Sequence, residues 1–140
     1  MKAISIRQPW AWAICHAGKR IENRGKRWFH RGLIAIHASK GCTSDELTAG
    51  LAFLGELGKL QDWPGLHAVP RGAIVAVAAI VDCVDASEDP WFCGPFGLVL
   101  DGVIVLPRPV PCAGALGAWR VPALVQANVE TQILGQRRTG

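Results

Sequence analysis

The feature that most constrains this fold is the longest apolar run of the chain, which extends from Ala73 to Val81. The run has about half of the ~20 residues that cross a bilayer, so it does not predict a membrane span. Continuous apolarity is typical of a strand that is buried on both faces of a sheet. We therefore predict a fully buried strand from Ala73 to Val84.

The size of the chain predicts one compact domain. It has 140 residues, of which 50% are apolar and 19% are charged, enough to form one hydrophobic core but too few for two. That balance also excludes a disordered protein, except at the ends. We predict a single domain over residues 1–135 and a frayed tail over residues 136–140.

The cysteines and the N-terminal residues indicate the cellular compartment of the protein. The five cysteines are odd in number and contain no C-x-x-C pair, which predicts neither a disulfide framework nor a metal site. The N-terminus lacks the basic flank and apolar segment of a secretion signal. We expect a protein of the reducing cytoplasm, without a membrane span, a metal or another cofactor.

The first forty residues predict a strand, a short helix and two further strands. Apolar residues recur at helical spacing after Pro9, from Trp10 to Ala17, and Gly18 is placed to end that helix. Trp10 belongs to this apolar stripe and Trp12 does not, so Trp12 is expected to be available for stacking. The predicted strands are Lys2–Arg7, Ile21–Arg24 and Leu33–Ala38. An exposed loop, Gly25–Arg31, is predicted between the last two strands.

The second half predicts two helices and several strands. Thr43 and Glu46 form a capping box, which predicts a helix from Ser44 to Leu60. The dipeptide Asp101-Gly102 suits a type I′ turn, which predicts a hairpin between two apolar runs. The remaining predictions are a loop at Asp62–Gly72, hairpin strands at Leu98–Leu100 and Val103–Leu106, an end to regular pairing at Pro107, Pro109 and Pro111, a short strand at Ala118–Val121, and a helix from Pro122 toward Leu134.

These elements together favour a mixed α+β domain with a curved sheet or small barrel. The helices do not alternate regularly with the strands, and no glycine-rich phosphate loop is present. A doubly wound nucleotide-binding sheet is therefore disfavoured.

The charge of the chain is unevenly distributed. The net formal charge is +4, yet residues 1–40 carry +8, residues 41–101 carry −7 and residues 102–140 carry +3. A basic first segment folded onto one face would attract phosphate, which makes nucleic acid a candidate partner. The alternative is that the basic side chains solvate a surface and that the acidic segment cancels their field.

One short segment contains the densest group of polar residues. If the segment from Arg20 to Arg24 is extended, Arg20, Glu22 and Arg24 lie on one face of a strand, and Lys19 lies at the turn before it. A guanidinium held by a carboxylate is oriented for phosphate, and a nearby lysine adds a second positive charge. The alternative is a purely structural ion pair that fixes the helix to the sheet.

Four segments resemble the ASCH domain family, which is related to the PUA RNA-binding fold. They are S-I-R-Q-P-W at Ser5–Trp10, K-x-x-E-x-R at Lys19–Arg24, R-G-x-x-x-I-H-A at Arg31–Ala38 and G-A-L-G-A-W at Gly114–Trp119. The resemblance implies a PUA-like small β-barrel, with a curved, mostly antiparallel mixed sheet and flanking helices. It also implies a cleft between the barrel and the first helix that holds the signature residues.

The main functional expectation is an RNA-binding or nucleotide-binding ASCH protein. In this hypothesis Lys19, Arg24 and Arg7 hold phosphate, Gln8 and Glu22 read a base or sugar, and Trp10 lines the cleft. Additional affinity without sequence preference would come from Lys26, Arg27 and Arg31.

Two alternatives remain open from the sequence. The first is a metal-independent hydrolase acting on RNA or on a modified nucleoside such as acetylcytidine, with Glu22 as general base and Lys19 or Arg24 stabilising the developing anion. The second is a protein adaptor that uses the aromatic loop around Pro90, Trp91 and Phe92.

Overall fold

The computed structural model of the protein describes the backbone of residues 1–139 and the side chains of residues 1–136. In this part of the chain six strands and three α-helices alternate irregularly, and a short 3₁₀ turn occupies Leu66–Ala68. In chain order the elements are β1 (Lys2–Ile6), α1 (Trp10–His16), β2 (Ile21–Arg24), β3 (Gly32–Ala38), α2 (Ser44–Glu56), β4 (Ala73–Val84), β5 (Phe96–Pro111), β6 (Ala118–Arg120) and α3 (Ala123–Thr139).

The strands form one curled sheet, a half-barrel, in the order β2-β5-β4-β3-β1-β6. Strands β1 and β3 pair in parallel, and the other neighbours pair antiparallel. The short strand predicted near Ala118 is present as β6, which pairs with β1 at one edge. The prediction of an α+β fold with a curved, mostly antiparallel mixed sheet is confirmed.

Strand β4 lies in the interior of the sheet, as its apolar run predicts. Its first six residues are buried, and it pairs with β3 on one side and β5 on the other. The predicted full burial is wrong toward the end of the strand, where Val81 is 52% exposed and Asp82 is also exposed. Ile74 and Ile80 are 0% and 1% exposed and belong to two different clusters of the core. The strand thus contributes apolar surface to both faces, which is why its sequence does not alternate.

The predicted hairpin at Asp101-Gly102 is wrong. Residues 96–111 form the single strand β5, which pairs with β2 and with β4. Ala79 pairs with Asp101 and Val77 with Ile104, so β5 contains one extra residue there, where Gly102 has a φ of +60°. This left-handed glycine forms a bulge instead of a turn, because β4 is long enough to pair with both halves of β5.

The prolines of β5 interrupt its pairing without ending the strand. Ala76 pairs with Val105 and Ile74 with Val110, which leaves three extra residues of β5 between the two pairs. Pairing resumes at Val110 and Pro111. The prediction that regular pairing ends at the prolines is therefore wrong, because the prolines interrupt the pairing only locally.

Two helix ends differ from the sequence prediction. Helix α2 begins at Ser44 with the predicted capping box, in which the Thr43 hydroxyl accepts a hydrogen bond from the Glu46 amide at 3.1 Å. It ends at Glu56, because Gly58 adopts a φ of +70° and turns the chain. Helix α3 continues to Thr139, beyond the predicted limit near Leu134, and Gly140 lies outside the described residues.

Trp12 of α1, which was expected to be available for stacking, is buried. Trp12 is 7% exposed and packs edge-on against Trp63 at 5.3 Å between ring centroids. Trp10 is only partly buried, with its ring edge-on to Phe53 at 5.6 Å. Helix α1 is covered by the sheet on one side and by α2 and residues 63–69 on the other. A single apolar stripe therefore does not describe its buried surface.

Candidate functional site

A large cavity of about 1130 Å³ opens beside α1, where β1, β2 and β3 end. The segment 111–117, which joins β5 to β6, forms its opposite wall. Four cations and one carboxylate are among its lining side chains: Arg7, Arg24, Lys40, Arg71 and Glu22. The cavity is therefore positively charged on balance.

Glu22 and Arg24 form the polar wall of this cavity. Both project from β2 on the same side, as residues two apart on a strand do, and Arg24 Nη2 donates to Glu22 Oε2 at 2.9 Å. The same Nη2 donates to the Ser5 carbonyl at 2.9 Å. Arg24 Nε is buried without a hydrogen-bond partner within the described side chains. The guanidinium is thus fixed in place while part of its donor capacity remains unused.

A second, smaller cavity of about 280 Å³ lies on the other side of Glu22. It shares Trp10, Glu22 and Asn23 with the large cavity. Its remaining lining residues are Lys19, Phe53, Trp91 and Cys93. The small cavity is thus lined by three aromatic rings and by a buried lysine-carboxylate pair.

Lys19 is almost completely buried in the wall of the small cavity. Its side chain is 3% exposed, and Nζ donates to the Ile21 carbonyl and lies 3.5 Å from Glu22 Oε1. Nζ also lies 5.9 Å from the ring centroids of both Trp10 and Trp91. Burial lowers the pKa of Lys19 below its ordinary value of 10.5, and the negative charge of Glu22 opposes that shift.

Two cations at the rim of the large cavity have no carboxylate partner among the described side chains, namely Lys40 and Arg71. The Lys40 side chain passes over Gly72, where a Cβ atom would lie 2.9 Å from Lys40 Cγ. Arg7, also on the wall, is held by Glu46 of α2 at 2.9 Å in an exposed ion pair. Lys40 and Arg71 are therefore the cations most available to an anionic ligand.

A hydrogen-bonded group connects the base of the cavity to the segment 111–117. His37 Nε2 faces the Cys112 carbonyl at 2.8 Å, so Nε2 carries the proton and Nδ1 accepts from the Ser5 hydroxyl at 3.1 Å. Trp119 Nε1 donates to the same hydroxyl at 3.1 Å. A Cβ atom at Gly114 would lie 2.6 Å from Ser5 Oγ, so only glycine allows this close approach.

The structure brings five of the predicted site residues together. Arg7, Trp10, Glu22 and Arg24 line the large cavity, and Lys19 lines the small one with Trp10 and Glu22. The spacing within Lys19–Arg24 and the resemblance to the ASCH family together identified this group, and Arg7 and Trp10 entered it through the S-I-R-Q-P-W segment.

Four predicted binding residues lie elsewhere, and one of them, Arg31, is on the exposed loop before β3 and lines neither cavity. Gln8 is 2% exposed, and its amide group donates to the Pro70 carbonyl at 3.0 Å and accepts from the Trp12 amide at 2.9 Å. It fixes the start of α1 and does not line either cavity. Lys26 and Arg27 lie on the exposed loop after β2 and are likewise absent from both linings.

Sequence reasoning missed the contributions of residues distant in the chain. Ser5, His37, Lys40, Arg71 and the segment 111–117 reach the large cavity through the pairing of β1 with β3 and of β4 with β5. The segments around His37 and Gly114 resemble the ASCH family, and this resemblance was the available signal. Neither segment indicates by itself that the two lie side by side in the fold.

The aromatic loop proposed as a protein anchor is largely buried. Trp91 is 6% exposed and packs against Phe53 at 6.0 Å between ring centroids, Phe92 is partly buried, and Pro90 is exposed. Trp91 is therefore unavailable as the expected interface anchor.

Two negative observations apply to the described part of the chain. Among residues 1–136, no three histidine, cysteine or acidic side chains are grouped closely enough to bind a metal ion. No helix within residues 1–139 has the length and apolar character of a transmembrane segment.

The curled mixed sheet with flanking helices is an α+β fold of the PUA-like kind. It is similar to the crystal structure of ASCH from Zymomonas mobilis, with a TM-score of 0.55 and 13% sequence identity over 93% of each chain. At that identity the similarity shows the fold alone. The ASCH domain profile matches residues 4–92, so the chain belongs to the ASCH domain family. No curated protein matches the sequence.

Proposed function

We propose that this protein binds RNA or a nucleotide at the two adjoining cavities, with phosphate in the large cavity and a base in the small one. The observation that carries the proposal is the position of Glu22 in the wall shared by both cavities, bonded to Arg24 and close to Lys19. The ASCH domain family is generally thought to bind RNA.

The large cavity has the charge that a phosphate group requires. Lys40 and Arg71 have no carboxylate partner within the described side chains, and Arg24 retains a buried Nε without an acceptor. Fixed guanidinium groups bind phosphate oxygens well, because little side-chain freedom is lost on binding. Phosphate contacts of this kind supply affinity and position the ligand.

The small cavity has the aromatic and polar lining that a base requires. Trp10 and Phe53, which are partly buried, provide aromatic surface for stacking, and Trp91 lines the cavity beside them. Stacking on aromatic side chains is how proteins commonly hold unstacked bases. The Glu22 carboxylate accepts hydrogen bonds only, so it would favour a base that presents an N–H group at its edge. Lys19 Nζ would supply the complementary donor.

Binding can be tested with a fluorescent single-stranded RNA of about eight nucleotides at low salt. We expect an affinity that falls steeply as salt is added, because phosphate binding releases counterions. Glu22→Gln should weaken binding, since the neutral amide cannot orient Arg24 as the carboxylate does. Absence of binding by the unchanged protein at low salt would refute the proposed function.

Hydrolysis at the same site is a second candidate, favoured by the closeness of the carboxylate of Glu22 to the buried Nζ of Lys19. Here Glu22 would remove a proton from water or from a ribose 2′-hydroxyl, and Arg24 or Lys19 would stabilise the developing negative charge. The test is turnover of an RNA oligomer or of acetylcytidine, which Glu22→Gln and Lys19→Met should each abolish. Substrate that stays intact with the unchanged protein, or equal turnover by the variants, would refute this candidate.

A further inference from the structure

We propose that the loop of residues 25–31 is a second contact surface for single-stranded RNA, on which the ring of Phe29 stacks one base. The inference rests on the proposed function, because it places further nucleotides of the same RNA on this loop when the first nucleotide occupies the cavities. It implies that the natural ligand is a polynucleotide and not a free nucleotide.

The exposure of Phe29 is exceptional among the tryptophans and phenylalanines of this chain. Its side chain is 83% exposed, whereas every other tryptophan and phenylalanine, all of which fall within the described side chains, is buried or partly buried. A large aromatic ring kept in water forgoes the hydrophobic free energy of burial. An exposed ring gains that free energy when a base stacks on it, whatever the base is.

The loop holds Phe29 in a defined position. Arg31 Nη1 donates to the Trp28 carbonyl at 2.9 Å and to the His30 carbonyl at 3.1 Å. The His30 ring, through Nε2, donates to the Leu33 carbonyl at 2.9 Å. Both neighbours of Phe29 are therefore fixed by hydrogen bonds, which reduces the entropy lost when a ligand binds the ring between them.

The loop begins at the wall of the large cavity. Arg24 lines that cavity, and its guanidinium lies over the ring of Trp28 at 5.6 Å from the centroid. Trp28 in turn precedes Phe29 in the chain. A nucleic acid strand that leaves the cavity past Arg24 would therefore pass close to Trp28, the residue that precedes Phe29.

The charge of the loop favours RNA over a protein as the occupant. Residues 25–31 contain Lys26, Arg27 and Arg31 and no acidic residue. Lys26 is exposed and has no ion pair among the described side chains. Arg27 faces Asp85 at 3.4 Å and Arg31 faces Asp82 at 4.0 Å. All four side chains are at least 41% exposed, and such exposed pairs contribute little. Cations beside a stacking ring are the usual arrangement in proteins that bind single strands.

The experiment compares two ligands on the same variants. Affinities are measured for a mixed-sequence RNA octanucleotide by fluorescence anisotropy, and for the four ribonucleoside monophosphates by calorimetry. Phe29→Ala should weaken octanucleotide binding about fivefold or more, which corresponds to the lower end of the stacking energies of single bases. It should leave mononucleotide binding unchanged, because a mononucleotide in the cavities does not reach the loop.

Two further variants serve as controls. Phe29→Trp keeps an aromatic face and should retain octanucleotide affinity, whereas Leu124→Ala removes a similarly exposed apolar side chain, 87% exposed on α3, and should have no effect. Circular dichroism melting should be the same for all variants, since Phe29 lies outside the hydrophobic core.

The outcomes separate this inference from the proposed function. If Phe29→Ala binds the octanucleotide as tightly as the unchanged protein, the inference is overturned, and a protein partner becomes the better explanation of the exposed ring. If the octanucleotide binds through Phe29 but no mononucleotide binds, the inference is supported and the cavity proposal is weakened. If the unchanged protein binds neither ligand, both are refuted.

Discussion

Glu22 and Arg24 lie two residues apart on β2 and are joined side by side, with Arg24 Nη2 2.9 Å from Glu22 Oε2. The other carboxylate oxygen of Glu22 faces Lys19 at 3.5 Å. One carboxylate thus positions an arginine in the large cavity and a lysine in the small one. In the proposed function, changes to this group affect both phosphate and base binding.

Arg24→Ala should weaken RNA binding about tenfold or more, because it removes a fixed donor to phosphate and leaves Glu22 without its closest cation. The dependence of affinity on salt should also become shallower, by about 0.7 in the logarithmic slope for one lost phosphate contact. Titrations at several salt concentrations measure both effects.

The matched control is Arg108→Ala, which removes an exposed arginine of β5 that lines neither cavity. Arg108→Ala lowers the net charge of the protein by the same amount as Arg24→Ala. Equal losses of affinity in the two variants would show that only the overall charge of the protein matters.

Lys19 should make the stability of the protein depend on alkaline pH. Burial lowers its pKa in the folded state, while in the unfolded state it returns to about 10.5. Between those two pKa values the unfolded chain binds more protons, so the free energy of unfolding should rise with pH in this window. Below the lower pKa both states are protonated, and the cost of burying the charge is fully present.

This rise of the unfolding free energy with pH should be absent from the Lys19→Met variant, because methionine does not titrate. The measurement is the difference in unfolding free energy between the two proteins from about pH 7 to about pH 10. Cys15, whose pKa burial raises to about 11, is present in both proteins, so its effect cancels. A difference that stays constant with pH would contradict the lowered pKa of Lys19.

Cys93 should report occupancy of the small cavity. Its thiol is exposed and lines that cavity beside Lys19, whereas Cys42 is partly buried and lines neither cavity. A bound nucleotide should slow alkylation of Cys93 and leave the rate at Cys42 unchanged, as followed by mass spectrometry. Equal Cys93 rates with and without a nucleotide that binds would place the ligand elsewhere.

Gly114→Ala should destabilise the fold and weaken RNA binding. The added methyl group would lie 2.6 Å from Ser5 Oγ and 2.7 Å from His37 Cε1, so the segment 111–117 must shift away from the cavity. Overpacking of this kind costs about 1–3 kcal/mol in the free energy of unfolding. Chemical denaturation measures that loss.

Gly25→Ala is the control for this substitution, because nothing lies within 4 Å of the added methyl group. It should leave the free energy of unfolding nearly unchanged. If Gly114→Ala is equally harmless, the close contact among Gly114, Ser5 and His37 does not exist in solution.

Local sequence signals predicted much of this fold. The apolar run of β4, the capping box of α2 and the strand Ile21–Arg24 are where the sequence places them. Each depends on interactions between residues close in the chain, or on burial that the residue types themselves require. The predicted grouping of Glu22 with Arg24 followed from strand alternation, and Lys19 was expected to reach them from the turn before the strand.

The errors arose where a local signal was overruled by a distant partner. Asp101-Gly102 has the sequence of a hairpin turn, but pairing along the whole of β4 keeps β5 continuous and makes Gly102 a bulge. Trp12 lies outside the apolar stripe, yet Trp63 covers it. Tertiary packing commonly overrides local preference in this way, because it contributes more free energy than a turn does.

The sequence by itself determined the α+β class, the family resemblance and the polar group after α1, because these depend on the order and type of neighbouring residues. Tertiary structure alone decided that Lys40, Arg71 and the segment 111–117 surround that group. It also decided that Gln8 is buried and that Phe29 is exposed. The reason is physical, since a cavity is a gap between elements whose spacing is set by the register of the sheet and not by any one segment.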